Sequence, residues 1–389
     1  MNLKTLNLVE FLNYKTMYYD KIDFSYVQKS WKILSAHINI PYVIHIVGTN
    51  GKGSTGRYLS SYLNQIDKKV LHYSSPHIKN FNERIWINGS DVSDTILESA
   101  HKFLLSIYDD ESLKILTYFE YTTLLALYLS KDVEYLVLEA GLGGEFDATN
   151  IIRNDLSLIT TIDLDHQAFL GNTVKAIATT KMRSVDTKML LGYQVHSCVK
   201  DMAYEVKKQI QNERNTNIEI KVIEEFDKYD FSNKIPKYLQ RNLHLVIECL
   251  NELALPIQIE LFDNVKLQGR CQKIASNITI DVGHNPLAAK VIYEEFKDKK
   301  VTLIYNSYKD KDFKEVLNIL KPIIDDMYII EVNDERIASK SDIQSIVKDL
   351  NIKELKDLDK TSFDDKKEYL VFGSFMVVEK FLDDLDYTL

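Results

Sequence analysis

Cysteine is scarce in this chain. Its 389 residues include three, Cys198, Cys249 and Cys271, widely spaced and without a C-x-x-C pair. An odd, scattered set excludes a disulfide framework and a thiolate metal cage, and it fits a reducing compartment. Excess positive charge is also lacking. The formal net charge is −9, opposite in sign to a surface that neutralises nucleic-acid phosphates. A local basic pocket for a small anion stays compatible with that sum. No apolar run approaches the roughly 20 residues of a membrane span. The N-terminal stretch is broken by Glu10, Asn13 and Lys15, so it lacks the apolar segment of a secretory signal. Linkers rich in glycine, serine or proline are absent, as are repeats and low-complexity tracts. These absences lead to the expectation of a cytoplasmic protein that binds neither membrane nor nucleic acid.

Hydrophobic residues make up 45% and charged residues 27%, the mixture of an ordinary globular protein long enough for two cores. Short apolar runs alternate with segments of helical period, which predicts α/β construction with a mainly parallel sheet. Strands are expected at Val43–Val47, Tyr135–Glu139 and Leu156–Ile162. Helices are expected at Ser54–Gln65, where Tyr58, Leu59, Tyr62 and Leu63 share a face, and at Phe119–Leu129, which is apolar nearly all round. A second α/β series follows, with strands at Ile278–Val282, Val301–Tyr305, Met327–Val332 and Glu368–Phe372. The boundary is expected near Leu267–Lys273, giving domains at 1–269 and 270–389.

The sharpest local signal is Val43 to Thr55, VIHIVGTNGKGST. An apolar strand enters Gly48-Thr49-Asn50-Gly51-Lys52-Gly53-Ser54, and a helix leaves it. Glycines allow a tight turn that aims backbone N–H groups at phosphate oxygens. The helix N-terminus adds positive potential. Lys52 can reach the outer phosphates, and a nearby hydroxyl can meet Mg²⁺. The pattern departs from G-x-x-x-x-G-K-S/T, because Ile46 stands where the first glycine would be and the hydroxyl comes one place late, at Ser54. By itself the loop fits a kinase, a switch, a motor or a ligase.

Two further strands end in groups able to work beside such a loop. Tyr135–Glu139 ends in a carboxylate, followed by Ala140 to Asn150, AGLGGEFDATN. In an open α/β sheet ligands gather beyond the carboxyl ends of strands, and Mg²⁺ prefers oxygen donors. The other strand leads into Asp163-Leu164-Asp165-His166, where the imidazole of His166 could be a second metal ligand. A strand-end acid or a lone histidine is often only structural, and the weight here comes from their convergence on one edge.

More strings join these. Ser75-Pro76-His77-Ile78-Lys79-Asn80-Phe81-Asn82-Glu83-Arg84-Ile85 is one, and Thr117-Tyr118-Phe119-Glu120 another. Gly141–Gly144 leads to Asp147-Ala148-Thr149-Asn150, and Leu164-Asp165-His166 follows. Then come Gly269-Arg270, Asp281 with His284-Asn285-Pro286, and Asp310-Lys311-Asp312. In this order the strings resemble the folylpolyglutamate synthase and dihydrofolate synthase family, part of the Mur ligase superfamily.

The resemblance implies a P-loop Mur-ligase-type ATPase domain with a parallel-rich sheet over 1–269. It implies a smaller Rossmann-like α/β glutamate-ligase domain over 270–389. It implies ATP, two Mg²⁺ ions, L-glutamate and a pteroate or folate acid as ligands, and action as a monomer. Gly48, Thr49, Asn50, Gly51, Lys52, Gly53 and Ser54 would bind ATP, together with Asn242, Arg270, Asp281 and His284. Ser75, Glu139 and His166 would hold metal, with Lys181 as a carbamate, which replaces a cation with an oxygen ligand. Phe81, Asn82, Arg84, Phe119 and Asp147 would meet the acceptor. Lys52, Asp165, His166 and Lys181 would carry the chemistry. One chain would serve both dihydropteroate and folyl-glutamates, through an acyl phosphate.

The chain departs from the family pattern in places. Glu145 stands where the family has arginine, and an added negative charge there would favour dihydropteroate over the more anionic glutamylated acceptor. Lys181 is flanked by Thr180, Met182 and Arg183 instead of E-K-A-G. Asn242 closes Tyr238-Leu239-Gln240-Arg241-Asn242 where the family has H-Q-x-x-N. Three other readings stand beside this one: a peptidoglycan-type Mur ligase, a phosphate-loop ATPase switch or motor without ligase activity, and a binding protein without catalysis.

Overall fold

The computed structural model describes residues 3–16, 23–226, 228–232, 235–358 and 363–387. The chain divides into two compact units, Met1–Val265 and Lys266–Leu389.

The first unit is built on a sheet whose strands are β1 (Tyr42–Val47), β2 (Val70–Tyr73), β3 (Ile85–Ile87), β4 (Ser90–Asp91), β5 (Tyr135–Glu139), β6 (Leu156–Ile159), β7 (Lys188–Leu191) and β8 (Glu219–Val222). Among the described residues their order is β4-β3-β2-β5-β1-β6-β7-β8. The run from β2 to β8 is parallel, and β3 and β4 close one edge antiparallel. β1 is central, with β5 on one side and β6 on the other, so three strands far apart in sequence end together. Helices cover both faces, as a parallel sheet requires, since its strands are apolar on both sides. On one face Leu104, Tyr121, Leu124 and Leu125 pack with Val43, Leu71 and Leu138. A second cluster gathers Val47, Ile159, Met189 and Leu191 with Ile177, Val199 and Val206.

The helix Lys52–Gln65 begins two residues before the expected start and buries Tyr58, Leu59, Tyr62 and Leu63. The helix Tyr118–Leu129 is closed at its start by reciprocal bonds between Thr117 and Glu120, the arrangement that satisfies two orphan donors at once. β6 stops at Ile159 instead of running to Ile162. Beyond it the chain turns toward the phosphate loop, and the Thr161 carbonyl accepts from the Thr49 and Asn50 amides at 2.9 and 3.2 Å.

The second unit carries β9 (Gln272–Ala275), β10 (Ile278–Asp281), β11 (Val301–Tyr305), β12 (Ile324–Ile329), β13 (Lys353–Leu355) and β14 (Glu368–Phe372). Their order is β13-β12-β11-β14-β10-β9, parallel except for β9. β12 lies three residues earlier than the expected Met327–Val332. Its register is set by β11, which pairs Val301 with Ile324 and Tyr305 with Ile329. Leu303, Tyr305, Leu317, Leu320, Met327 and Phe372 form this unit's core. Among the described residues no helix is long and apolar enough to cross a membrane.

Candidate active site

The loop after β1 is shaped by two glycines. Gly51 has φ +90° and caps the helix Lys52–Gln65, a left-handed conformation that side chains resist. A methyl group there would stand 2.8 Å from Asn242 Oδ1. That contact brings the helix Lys237–Glu252 against the loop. At Gly48 a methyl group would fall 1.8 Å from Thr160 Oγ1, so the backbone passes directly over the end of β6. Lys52 bends back across the loop, its Nζ donating to the carbonyls of Gly48 at 3.2 Å and Thr49 at 3.4 Å. Ser54 is buried on the first turn. The loop thus presents a lysine, a helix N-terminus and a nearby hydroxyl at one place.

Glu139 ends β5 beside this loop and is 6% exposed. Its Oε2 lies 3.2 Å from where a methyl group on Gly53 would be, and it accepts from the Ser75 amide at 3.3 Å. The bond from Ser75 to Pro76 is cis. The structure therefore brings Ser75 and Glu139 together with the phosphate loop. Asp165 and His166 lie on the turn after β6. His166 has φ +48°; its amide donates to Asp165 Oδ1 at 2.8 Å, and its Nε2 is 3.9 Å from Asp165 Oδ2.

Lys181, near the end of the helix Val174–Met182, is only 5% exposed. Burial pushes its amine down to about 7, the Lys52 charge pushes the same way, and Asp165 and Asp147 oppose them. Lys181 thus shares one electrostatic neighbourhood with Lys52, Asp165 and Asp147. Asp147 is buried within its own loop. It accepts from Leu142 N at 2.6 Å, Thr149 N at 3.0 Å and Thr149 Oγ1 at 2.6 Å, while burial holds its carboxyl above the usual range. Thr149 Oγ1 in turn lies 2.9 Å from His45 Nε2.

Phe119 stacks on Tyr73 with centroids 5.9 Å apart, and its Cζ is 2.6 Å from the place a methyl group on Gly141 would take. Phe119 therefore lies against the Gly141 loop. Phe81, Asn82 and Arg84 form a separate group. Arg84 Nε donates to His77 Nδ1 at 2.7 Å, and the guanidinium lies 5.2 Å from the Tyr118 ring centre. Asn82 Nδ2 donates to Val92 O at 2.7 Å and Asp94 Oδ1 at 2.8 Å. Phe81 meets Tyr118 edge to face at 6.3 Å. Glu83 was assigned no role from sequence, yet it holds this turn by accepting from the amides of Ile78, Lys79 and Asn80 at 2.7, 2.9 and 2.7 Å. Its place three residues after Asn80 is the capping-box spacing that could have signalled it.

The remaining three residues lie in the second unit. Asp281, buried at the end of β10, accepts from Cys271 N at 2.8 Å and Gly283 N at 2.7 Å. Burial raises its carboxyl, and Arg270 opposes that shift. Arg270 rests over the Phe375 ring at 5.4 Å. His284 Nδ1 lies 3.1 Å from the Val282 carbonyl, just before the helix Pro286–Phe296, which Asn285 caps.

Glu145 is paired with cations that its place in the sequence did not reveal. Its carboxylate is held by Arg183 Nε at 2.8 Å and lies 3.5 Å from Arg214 Nη2. The negative charge read from sequence is thus paired within a cluster in which the same two guanidinium groups also meet Glu213 and Asp186. Among the described residues no three His, Cys, Asp or Glu side chains are gathered as a ready metal cage.

No protein-family model matches the chain. The dihydrofolate synthase/folylpolyglutamate synthase of Haemophilus influenzae is 32% identical over 347 residues, 78% of this chain and 77% of the relative. The crystal structure of Helicobacter pylori folylpolyglutamate synthetase is 36% identical, with a TM-score of 0.76, covering 97% of this chain and 98% of that one. E. coli FolC in complex with ADP is 26% identical, with a TM-score of 0.82 and 98% coverage of both. A parallel-rich sheet carrying a glycine–lysine phosphate loop, together with a smaller parallel-rich α/β unit, defines an ATP-dependent ligase of the Mur type. Within that class, the chain belongs to the dihydrofolate synthase/folylpolyglutamate synthase family. The peptidoglycan-ligase and ATPase-switch readings fall away with that membership.

Proposed function

We propose that this protein joins L-glutamate to a folate-type carboxylic acid with cleavage of ATP, and that one site serves both dihydropteroate and folyl-glutamates. The observation that carries this reading is the convergence of the Lys52 loop, Glu139 and the Lys181–Asp165–Asp147 neighbourhood at one edge of the sheet, in a chain of this family. Both acceptors offer the same reacting group, a carboxylate on a pterin-bearing arm, so one phosphate apparatus suffices. The domains would divide the work, with 1–269 binding ATP and 270–389 serving glutamate ligation.

An acceptor carboxylate oxygen attacks the γ-phosphorus of ATP, the bond to the bridging oxygen breaks, and ADP departs. The glutamate amine then attacks the acyl carbon, phosphate leaves, and the ammonium proton passes to a base. Lys52 and the loop amides from Gly48 to Ser54 neutralise charge on the transferring group. Asn242 steadies the loop, and Arg270, Asp281 and His284 are the second unit's candidate nucleotide ligands. With His166 given to the metal, Asp165 is the proton acceptor the first unit offers. Phe119 and Asp147 flank the acceptor, with Phe81, Asn82 and Arg84 along its arm.

The donor set fits a hard cation, because Glu139 is a buried carboxylate beside the phosphate loop. Mg²⁺, as two ions, would be held by Ser75, Glu139, His166 and carbamylated Lys181, and would supply charge neutralisation at the phosphates. An amine brought to about 7 by burial is about half unprotonated at neutral pH. That is the form able to add CO₂ and release a proton.

Purified protein is incubated with ATP, glutamate and either dihydropteroate or a folyl-monoglutamate. Both mixtures should yield glutamylated product and ADP in equal amounts. Lys52→Ala should lower turnover by roughly 100-fold or more while melting within a few degrees of wild type. Near-normal turnover in a folded Lys52→Ala protein, or a wild type inactive on either acceptor, refutes the reading.

A further inference from the structure

The loop after β7 carries none of the residues assigned above, yet it braces the turn after β6. Gln194 Oε1 accepts from Ile162 N at 2.9 Å, and its Nε2 donates to Thr160 O at 3.0 Å. Thr161 Oγ1 donates to Tyr193 O at 3.0 Å. His196 Nε2 lies 2.9 Å from Asp163 Oδ1. An ionised carboxylate can only accept, so the imidazole nitrogen is the donor.

Asp163 is where this bracing reaches the phosphate loop. Its amide donates to Thr49 Oγ1 at 3.0 Å, and that hydroxyl donates to the Asp163 carbonyl at 2.9 Å. The Asp163 backbone is therefore joined directly to Thr49, within the segment proposed to receive phosphate. An anion there opposes a polyphosphate unless it is held aside and partly neutralised. Two donors do this, Leu164 N at 2.8 Å and His196 Nε2. The pair is semi-exposed, with His196 at 38% and Asp163 at 24%, so as a surface interaction it contributes little to folding.

We propose that His196 is a positioning residue for the nucleotide. By holding the Asp163 carboxylate, it keeps that charge off the phosphates and keeps the turn carrying Asp165 and His166 docked on Thr49. His196 touches neither substrate nor the reacting atoms and acts only through Asp163.

The inference rests on the ligase reading for its kinetics, and ADP affinity measured by calorimetry tests it without turnover. His196→Ala should raise the KM for ATP and the Kd for ADP on the order of tenfold. The KM for acceptor and for glutamate should stay unchanged, and the melting temperature should stay within about two degrees of wild type. His196→Gln, whose amide can still donate, should keep most of the affinity. Adding Asp163→Asn to His196→Ala should recover most of the loss, because it removes the charge and leaves an oxygen to accept from Leu164. Unchanged ADP affinity in His196→Ala overturns the proposal. So does a double variant weaker than the single one, or a loss in step with melting temperature. A chain that binds ADP as expected but turns over no acceptor would refute the ligase reading alone.

Discussion

A lysine buried beside another lysine can lower its energy by losing its proton or by changing its chemistry. Lys181 is in that position, with its amine brought down to about 7 by burial and by Lys52. Its neighbour Arg183 anchors the end of the same helix to the Gly141–Asn150 loop through Glu145. Arg183 also donates to Glu213 at 2.7 Å, and Arg214 donates to the Arg183 carbonyl at 2.8 Å. Glu145 is therefore a structural tie between two segments of the candidate site. Glu145→Arg would set Arg183, Arg214 and a third cation together, and because the pair is only partly buried the cost should fall below the roughly 3–5 kcal/mol of a fully buried pair. Urea unfolding should show that loss, and kcat/KM should fall alike for both acceptors. A shift in acceptor ratio with stability retained would return Glu145 to a role in specificity.

At the scale of elements, the turn from β1 into the helix Lys52–Gln65 concentrates the demands of the site. Gly51 must take φ +90° and leave room for Asn242. Gly51→Ala would add roughly 1–2 kcal/mol of backbone strain and press on Asn242 Oδ1. The strain is borne by the phosphate loop, so ADP affinity measured by calorimetry should fall at least tenfold. Melting should fall by only a few degrees. Wild-type ADP affinity in this variant would mean the loop does not carry the nucleotide. Because the loop does its work with consecutive residues, it was legible as a string, as were the strands Tyr135–Glu139, Val301–Tyr305 and Glu368–Phe372, which have the expected bounds. The end of β6 was not legible. Thr160 to Ile162 remain β-branched, but their backbone groups pair with the phosphate loop and Gln194 instead of continuing the strand.

Across the whole molecule, acid sensitivity concentrates in the first unit. Burial holds His45 and His77 near 4 and His72 well below its ordinary value, with help from Arg84 at His77 and from Arg57 at His72. Each is neutral when folded and titrates near 6.5 when unfolded. Between those values the unfolded chain binds more protons, so stability falls as pH falls from about 6.5 toward 4. For His45 alone the loss between pH 7 and pH 5 should be about 2 kcal/mol. The raised carboxyl of Asp147 has the opposite sign and offsets part of the loss at the acid end of the window. Urea midpoints at the two pH values should differ more for wild type than for His45→Gln. Equal differences would mean that His45 is accessible in the folded state.

By itself the sequence determined what depends on neighbours along the chain: the strand–loop–helix at the phosphate site, the α/β alternation and the family strings. Only the tertiary structure decided what depends on sheet order. Placing β1 between β5 and β6 brings Glu139 beside Gly53 and Asp163 against Thr49. Packing of the helices sets Lys181 near Lys52, Asn242 against Gly51, and Arg183 on Glu145. The charge of Glu145 could be read from the chain, but its neutralisation could not. An ion pair spanning 38 positions leaves no local pattern, because its geometry exists only once two separate elements have packed.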